Sequence, residues 1–317
     1  MEVNNDVRPI TGDDPLVGIV VVHWNSYRET ADCLDSLEDL DYPRYRVVVV
    51  DNGSTDGSEE RLSREFGDHV WCELVHNDSN RGFAGGVNTG IDSALSEGVQ
   101  YVLLLNNDAR IEPGAVRELV DVAAESGAGV VGATIVDGTG TPVNATPSRH
   151  PDMLIYSGYR DRLPFVSDEP PIDDRWWETD RVEGAGALLS RELLERRQET
   201  VGFYLDESLF MYCEEVELGL WCRKHGERVV IAADAVIRHE GGASSNRAFQ
   251  LYYLTRNRVL IAHRYLDRLE RALFDGSYPL TRLLRASRYA KDGQGDVAAA
   301  IVNGLLDGYR HISGQIK

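Results

Sequence analysis

YRVVVVDNGSTDGS, residues 45–58, decides the fold. Its four consecutive valines show no alternation, the pattern of a strand covered on both faces. The run stops at Asp51, and the Gly and Asx residues that follow supply a turn and then a helix start. A buried strand that ends in a polar corner and passes at once into a helix is half of a β–α unit.

The chain repeats that unit on both sides. Upstream, LVGIVVVH (16–23) is a second unbroken apolar run. Between the two, Ala31, Leu34, Leu37 and Leu40 recur at helical spacing over 29–40 until Tyr42-Pro43 breaks the pattern. Downstream, strands are expected at 71–76, 101–105, 129–136, 182–190 and 228–233. Helices are expected at 84–96, 114–126 behind Pro113, a short stretch through Arg196, and 214–225. The alternation predicts an α/β fold with a mostly parallel sheet flanked by helices. In such sheets ligands bind beyond the carboxyl ends of the strands. The polar clusters at 23–26, 51–56 and 106–108 stand at those ends.

The segment 139–180 loses periodicity and is rich in Pro, Asp and aromatic residues, which reads as a binding loop. From 249 the chain is helical and arginine-rich. Three parts are expected: a flexible leader at 1–15, a catalytic domain at 16–248 and a C-terminal helical extension at 249–317.

Composition narrows the function. The net charge of −19 excludes nucleic acid as a partner, because phosphate backbones need a basic face. Lys224, Lys291 and Lys317 are the only lysines. An acidic, lysine-poor chain fits molar salt, where a Debye length of roughly 3 Å quiets self-repulsion. The polar, acidic first fifteen residues lack the basic flank and apolar core of a signal peptide, so the expected location is cytoplasmic. Cys33, Cys72, Cys213 and Cys222 form no CxxC pair and read as buried free thiols.

Six segments in order resemble family 2 glycosyltransferases, especially the rhamnosyltransferase-like branch. They are VVVVDNGSTDGS (47–58), NRGFAGGVNTGI (80–91), YVLLLNNDA (101–109), FMYCEEVELGLWCRKHG (210–226), RHEGGASS (238–245) and YYLTRNRVLI (252–261). GLLDGYRHISG (304–314) also resembles that branch. The resemblance implies a GT-A fold, a Rossmann-like mixed sheet with a C-terminal helical extension. It implies transfer of a sugar from a UDP- or dTDP-sugar to a hydroxyl of a saccharide or lipid-linked glycan, with inversion by direct displacement.

It also implies roles for particular residues. A departing diphosphate calls for a divalent cation, Mg²⁺ or Mn²⁺. Asp108 stands where the family has the last Asp of its DxD motif, although Asn106 replaces the first. His239 is the second metal ligand by resemblance. Trp24, Asp51, Asn52 and Asn107 fall where the family holds the base, ribose and phosphates, and Arg81 and Gly82 are further donor-site candidates. Asp56 is read as a helix cap. Glu214-Glu215 replaces the family's Glu-Asp pair, with Glu215 the expected general base and Glu214 the alternative. Arg256 and Arg258 could neutralise a phosphate on the donor or on a lipid-linked acceptor, and Trp176 and Trp177 could stack on an acceptor sugar.

The arginine-rich tail also suggests peripheral contact with a membrane, against which the net acidity works. Ile301, Leu305 and Leu306 offer a surface for a homo-oligomer. The rival readings are a non-catalytic carbohydrate- or nucleotide-binding homologue and, further off, a sugar-nucleotide pyrophosphorylase. The latter would open with a glycine-rich loop and a lysine where HWNSYR stands.

Overall fold

The computed structural model describes residues 14–144, 174–239 and 246–316. Most of the expected leader, residues 145–173 of the expected binding loop, and 240–245 lie outside the described residues.

The chain opens β1 (Val17–His23), α1 (Tyr27–Glu38), β2 (Tyr45–Asp51), α2 (Ser58–Phe66), β3 (Cys72–His76), α3 (Gly82–Ser96) and β4 (Tyr101–Asn106). It continues β5 (Ala109–Ile111), α4 (Ala115–Ser126), β6 (Val130–Val136), β7 (Trp176–Glu178), β8 (Gly186–Ser190) and α5 (Arg191–Val201). After a 3₁₀ turn (Glu207–Leu209) come α6 (Glu214–His225), β9 (Val229–His239), α7 (Arg247–Tyr265), α8 (Arg268–Lys291) and α9 (Gly295–Tyr309).

The strands form one sheet in the order β3-β2-β1-β4-β8-β6-β9-β5, with β7 on β9. β1, β2, β3, β4, β6 and β9 run one way, and β5, β7 and β8 run against them. The sheet is therefore mixed and mostly parallel. The chain winds outward from β1 through β2 to β3, then returns to place β4 on the other side of β1. That reversal opens a crevice beyond the ends of β1 and β4.

The two-residue strand period sorts the core. Ile19, Val21, Val47, Val49, Leu103 and Leu105 pack with Leu34 and Leu37 of α1, Phe66 of α2 and Leu119 of α4. The intervening Val20, Val48, Val50, Val102 and Leu104 pack with Val87 and Ile91 of α3, Leu193 of α5, and Leu218 and Trp221 of α6. An unbroken valine run thus means two dry faces. Gly90 makes one of these contacts possible, because a Cβ there would lie 2.3 Å from Val20 Cγ1.

The structure revises several expectations. β8 begins at Gly186 rather than 182, leaving 181–185 as a corner at the end of β4. β9 runs on to His239 by way of a register shift opposite Ala133/Thr134. The three-residue strands β5 and β7 are too short to carry a periodic signal. Trp177 belongs to the core, 6% exposed, and Trp176 donates its indole N–H to Glu125. Both pair with β9 at Ile231 and Ala232, roughly 20 Å of strand from His239. They pack the sheet and do not stack on a sugar at that site.

Ile301 and Leu305 are likewise buried within the chain, leaving Leu306 as the exposed member of the trio. α9 lies close on α7, where a Cβ at Gly304 would meet the Tyr252 carbonyl at 2.4 Å. All four cysteines are buried free thiols, and burial raises each thiol's pKa.

Candidate active site

The end of β4 brings the first pair together. Asp108 leaves the sheet just before β5, and β5 pairs antiparallel with the end of β9, Ala109 opposite His239. This register sets His239 Nε2 3.0 Å from Asp108 Oδ1, with Asn106 Nδ2 at 3.5 Å from the same nitrogen. The hydrogen bond to Asp108 raises the His239 pKa against the opposing effect of burial. Burial pushes the Asp108 carboxyl up, but the hydrogen bond and charge of His239 outweigh it, and the net shift is downward. The two groups, 131 residues apart in sequence, share one half-buried corner. An oxygen and an imidazole nitrogen on adjacent strands are a donor set that suits a divalent ion. Among the described residues no cluster of three His, Cys, Asp or Glu side chains accompanies them. Further ligands would have to come from a bound diphosphate or from water.

The β1 and β2 ends form the neighbouring wall. The Asn25 backbone N–H donates to Ser54 Oγ at 3.0 Å, and its side-chain oxygen accepts from Thr55 N at 2.8 Å, so the two loops are clipped together. Trp24, next to these loops, is left 49% exposed. The Asp51 carboxylate accepts from Ser54 N at 3.3 Å.

Beneath them runs a polar chain of fixed direction. Asp56, its pKa lowered by the Ser58 hydrogen bond, accepts from Ser58 Oγ. Ser58 therefore accepts from His23 Nε2 at 2.8 Å, and Thr30 Oγ1 donates to His23 Nδ1 at 2.8 Å. Thr30 Oγ1 then accepts from Asn107 Nδ2 at 3.0 Å. Burial lowers the His23 pKa against the pull of Asp51, Asp56 and Glu29, which favours the neutral ring of this arrangement. The chain orients the Asn107 amide from below. Nothing in the sequence singles out His23 for this, since a histidine ending a buried strand carries no motif.

Several donor-site candidates serve the fold instead. Asn52 is 2% exposed and spends its amide on the 77–82 loop: it donates to Gly82 O at 2.9 Å and accepts from Asn77 Nδ2 and Arg81 N at 3.1 Å. Arg81 is committed to both oxygens of Glu207 at 3.0 Å and to Thr89. Gly82 has φ +75°, and a Cβ there would lie 2.1 Å from Phe210 O. Its missing side chain admits another loop, not a ligand. Arg256 is fully buried and donates to the carbonyls of Leu209 at 2.8 Å and Gly314 at 2.5 Å, so it offers nothing to a phosphate. Arg258 is only partly buried, and its Nε has no hydrogen-bond partner.

The acidic pair opens α6. Phe210, Tyr212 and Cys213, none of them glycine, hold φ of 64°, 69° and 74°. Such conformations cost about 1–3 kcal/mol each and persist only where surroundings enforce them. Here Asn257 Nδ2 lies within 3.0 Å of the carbonyls of Leu209, Met211 and Tyr212, and Arg256 holds Leu209 as well. Behind the loop, Arg197 and Glu217 form a fully buried ion pair at 2.7 Å, and Tyr265 donates to the same Glu217.

The strained turn splits the two acids. Glu214 points inward, 5% exposed with Oε1 unpartnered, and burial followed by repulsion from Glu215 raises its pKa to about 8. Glu215 keeps 24% of its side chain exposed, and burial raises its pKa against the pull of Arg181. Arg181 reaches Glu215 at 3.5 Å and Glu183 at 3.4 Å. Glu183 sits in the corner beyond β4 and acts electrostatically on both Glu215 and His239. Its charge is felt at both acidic centres, and the strand-like composition of VEGAGALLS hides it in the sequence.

The mixed, mostly parallel sheet flanked by helices is that of a glycosyltransferase of the GT-A fold. The glycosyl transferase family 2 model matches residues 18–197, more than half of the chain, and the chain belongs to that family. It is 26% identical over 265 residues to the low-salt glycan biosynthesis hexosyltransferase Agl10 of Haloferax volcanii, covering 80% of this chain and 79% of that protein. It is 29% identical over 222 residues to the N-acetylglucosaminyl-diphospho-decaprenol L-rhamnosyltransferase of Mycobacterium tuberculosis, covering 63% and 68%. Among solved structures, the mannosyltransferase PcManGT from Pyrobaculum calidifontis, in complex with GDP-Man and Mn²⁺, superposes with a TM-score of 0.58 at 18% identity over 93% of this chain and 87% of that one. S. aureus TarS 1–349 in complex with UDP-GlcNAc gives 0.59 at 15% identity over 94% and 81%.

Proposed function

We propose that this glycosyltransferase moves a hexosyl unit from a UDP- or dTDP-sugar to a hydroxyl of a saccharide or lipid-linked glycan, with inversion. The observation that carries the reading is the convergence of Asp108 and His239, with Glu183 acting electrostatically on both His239 and Glu215. In this reading residues 16–248 form the catalytic unit and 249–317 an extension that braces it.

Asp108 and His239 would hold a divalent cation, Mn²⁺ or Mg²⁺, which offsets charge on the departing diphosphate as a Lewis acid. Trp24, half exposed, would stack on the base. Asp51 and Asn107 offer a carboxylate and an oriented amide to ribose or phosphate. Glu215 accepts the proton of the acceptor hydroxyl while that oxygen bonds to the anomeric carbon. The bond from that carbon to the diphosphate breaks, and its electron pair leaves with the nucleotide. Because one displacement occurs, no sugar becomes attached to the protein. Glu214, neutral near pH 7, is poorly suited to take a proton.

Glu215→Gln keeps size and removes the base. It should lower sugar transfer by at least about 10²-fold while donor binding stays within a factor of a few, as read by product formation and by titration with the nucleotide. Transfer near the wild-type rate would reject Glu215 as the base. A folded wild-type chain that binds donor yet never turns over would favour the non-catalytic reading.

A further inference from the structure

α8 is built unlike the rest of the chain. Leu269, Leu273, Leu280, Leu283 and Leu284 are between 48% and 71% exposed. At 100° per residue they fall within an arc of about 100° on one side of the helix. Phe274, Tyr278, Arg282 and Ala286 are buried on the opposite side and make its packing contact. The leucine stripe is therefore a second apolar face with no partner among the described residues. No helix among those residues is long and apolar enough to cross a membrane.

Charge says what covers the stripe. Arg268, Arg271, Arg282, Arg285, Arg288 and Lys291 outnumber Glu270 and Asp275 on this helix, in a chain whose net charge is −19. Arg268, Arg288 and Lys291 are exposed near the two ends of the stripe. In a twofold dimer the helix would meet its own copy, basic against basic, which is a poor match. An apolar stripe with cationic flanks fits a helix lying in the plane of a lipid–water boundary: leucines enter the acyl region and the arginine stems reach back to the headgroups.

We propose that α8 is a membrane-surface helix that docks this protein on a bilayer bearing anionic headgroups. The placement deepens the reading of a lipid-linked acceptor, since it would confine the enzyme to the surface where such an acceptor sits. It also gives the protein's acidity a counterweight confined to one face.

The full chain is mixed with phosphatidylcholine vesicles, with or without about one-third phosphatidylglycerol, at the lowest salt that leaves its thermal midpoint unchanged, and floated on a density gradient. The wild type should float at least about fivefold more with the anionic vesicles than with the neutral ones. Leu280→Gln/Leu284→Gln should remain in the soluble fraction with the same thermal midpoint and the same donor binding, because both side chains face solvent. Failure of the wild type to float would overturn the proposal. So would flotation of the double variant at the wild-type level, or a dimer without vesicles that the double variant makes monomeric. Flotation needs no turnover, so it stands or falls apart from the transfer reaction.

Discussion

Glu214 and Glu215 are adjacent and identical, yet the turn before α6 gives them opposite surroundings. Glu215 meets solvent and Arg181, whereas Glu214 is closed off with one oxygen unpartnered. A folded-state pKa of about 8 for Glu214 has a thermodynamic consequence. The unfolded chain releases this proton near the ordinary value of 4.5, and the native state keeps it until pH 8. The residue's contribution to stability is thus whole below pH 4.5 and is lost as pH rises to about 8. Glu214→Gln cannot ionise. Relative to wild type it should be near neutral at pH 4.5 and more stable by on the order of 2–4 kcal/mol at pH 8.5, read from denaturant midpoints at the two pH values. A difference that does not grow with pH would mean that Glu214 is ionised in the native protein. The sequence marks the acidic pair but not which acid faces inward. That depends on three left-handed residues whose side chains carry no sign of it.

At the scale of elements, the turn that leads into the acidic pair is held from outside the sheet. Asn257 on α7 satisfies three carbonyls of the strained 209–212 segment, and Gly82 at the start of α3 makes room for Phe210. Removing the amide leaves buried carbonyls unpaired and lets the turn relax. Asn257→Ala should cost about 2–3 kcal/mol of stability and lower kcat at least tenfold while leaving the KM for donor within about twofold. A loss confined to stability, with kcat unchanged in the folded fraction, would show that the loop keeps its geometry unaided. The elements with strong local signals are legible: β1, β2 and β4 from apolar runs, and α1 from the spacing of Ala31, Leu34 and Leu37. The corner at 181–185 is not, because VEGAGALLS has the composition of a strand throughout. Arg256 looked like a phosphate ligand because its burial arises from packing against a distant turn, which no local pattern records.

At the scale of the molecule, the sheet reversal at β1/β4 gathers residues from 24 to 239 into one crevice. The three C-terminal helices add the Asn257 brace behind the 209–212 turn and the exposed leucine stripe of α8. The alternation of strands and helices was enough to place Asp108 at a strand's end. The long register through β9 that delivers His239 needed a bulge that sequence alone does not show. The central claim is that these two residues form a cation-dependent nucleotide site. Its most direct test is the thermal midpoint, in high salt, with UDP, dTDP and GDP, each with and without Mn²⁺. Native-state binding raises the midpoint. A shift is expected with UDP or dTDP that requires Mn²⁺, is lost in Asp108→Asn and is kept in Glu215→Gln. A folded wild-type chain that shows no Mn²⁺-dependent shift with any nucleotide, or an Asp108→Asn variant that keeps the whole shift, would contradict it.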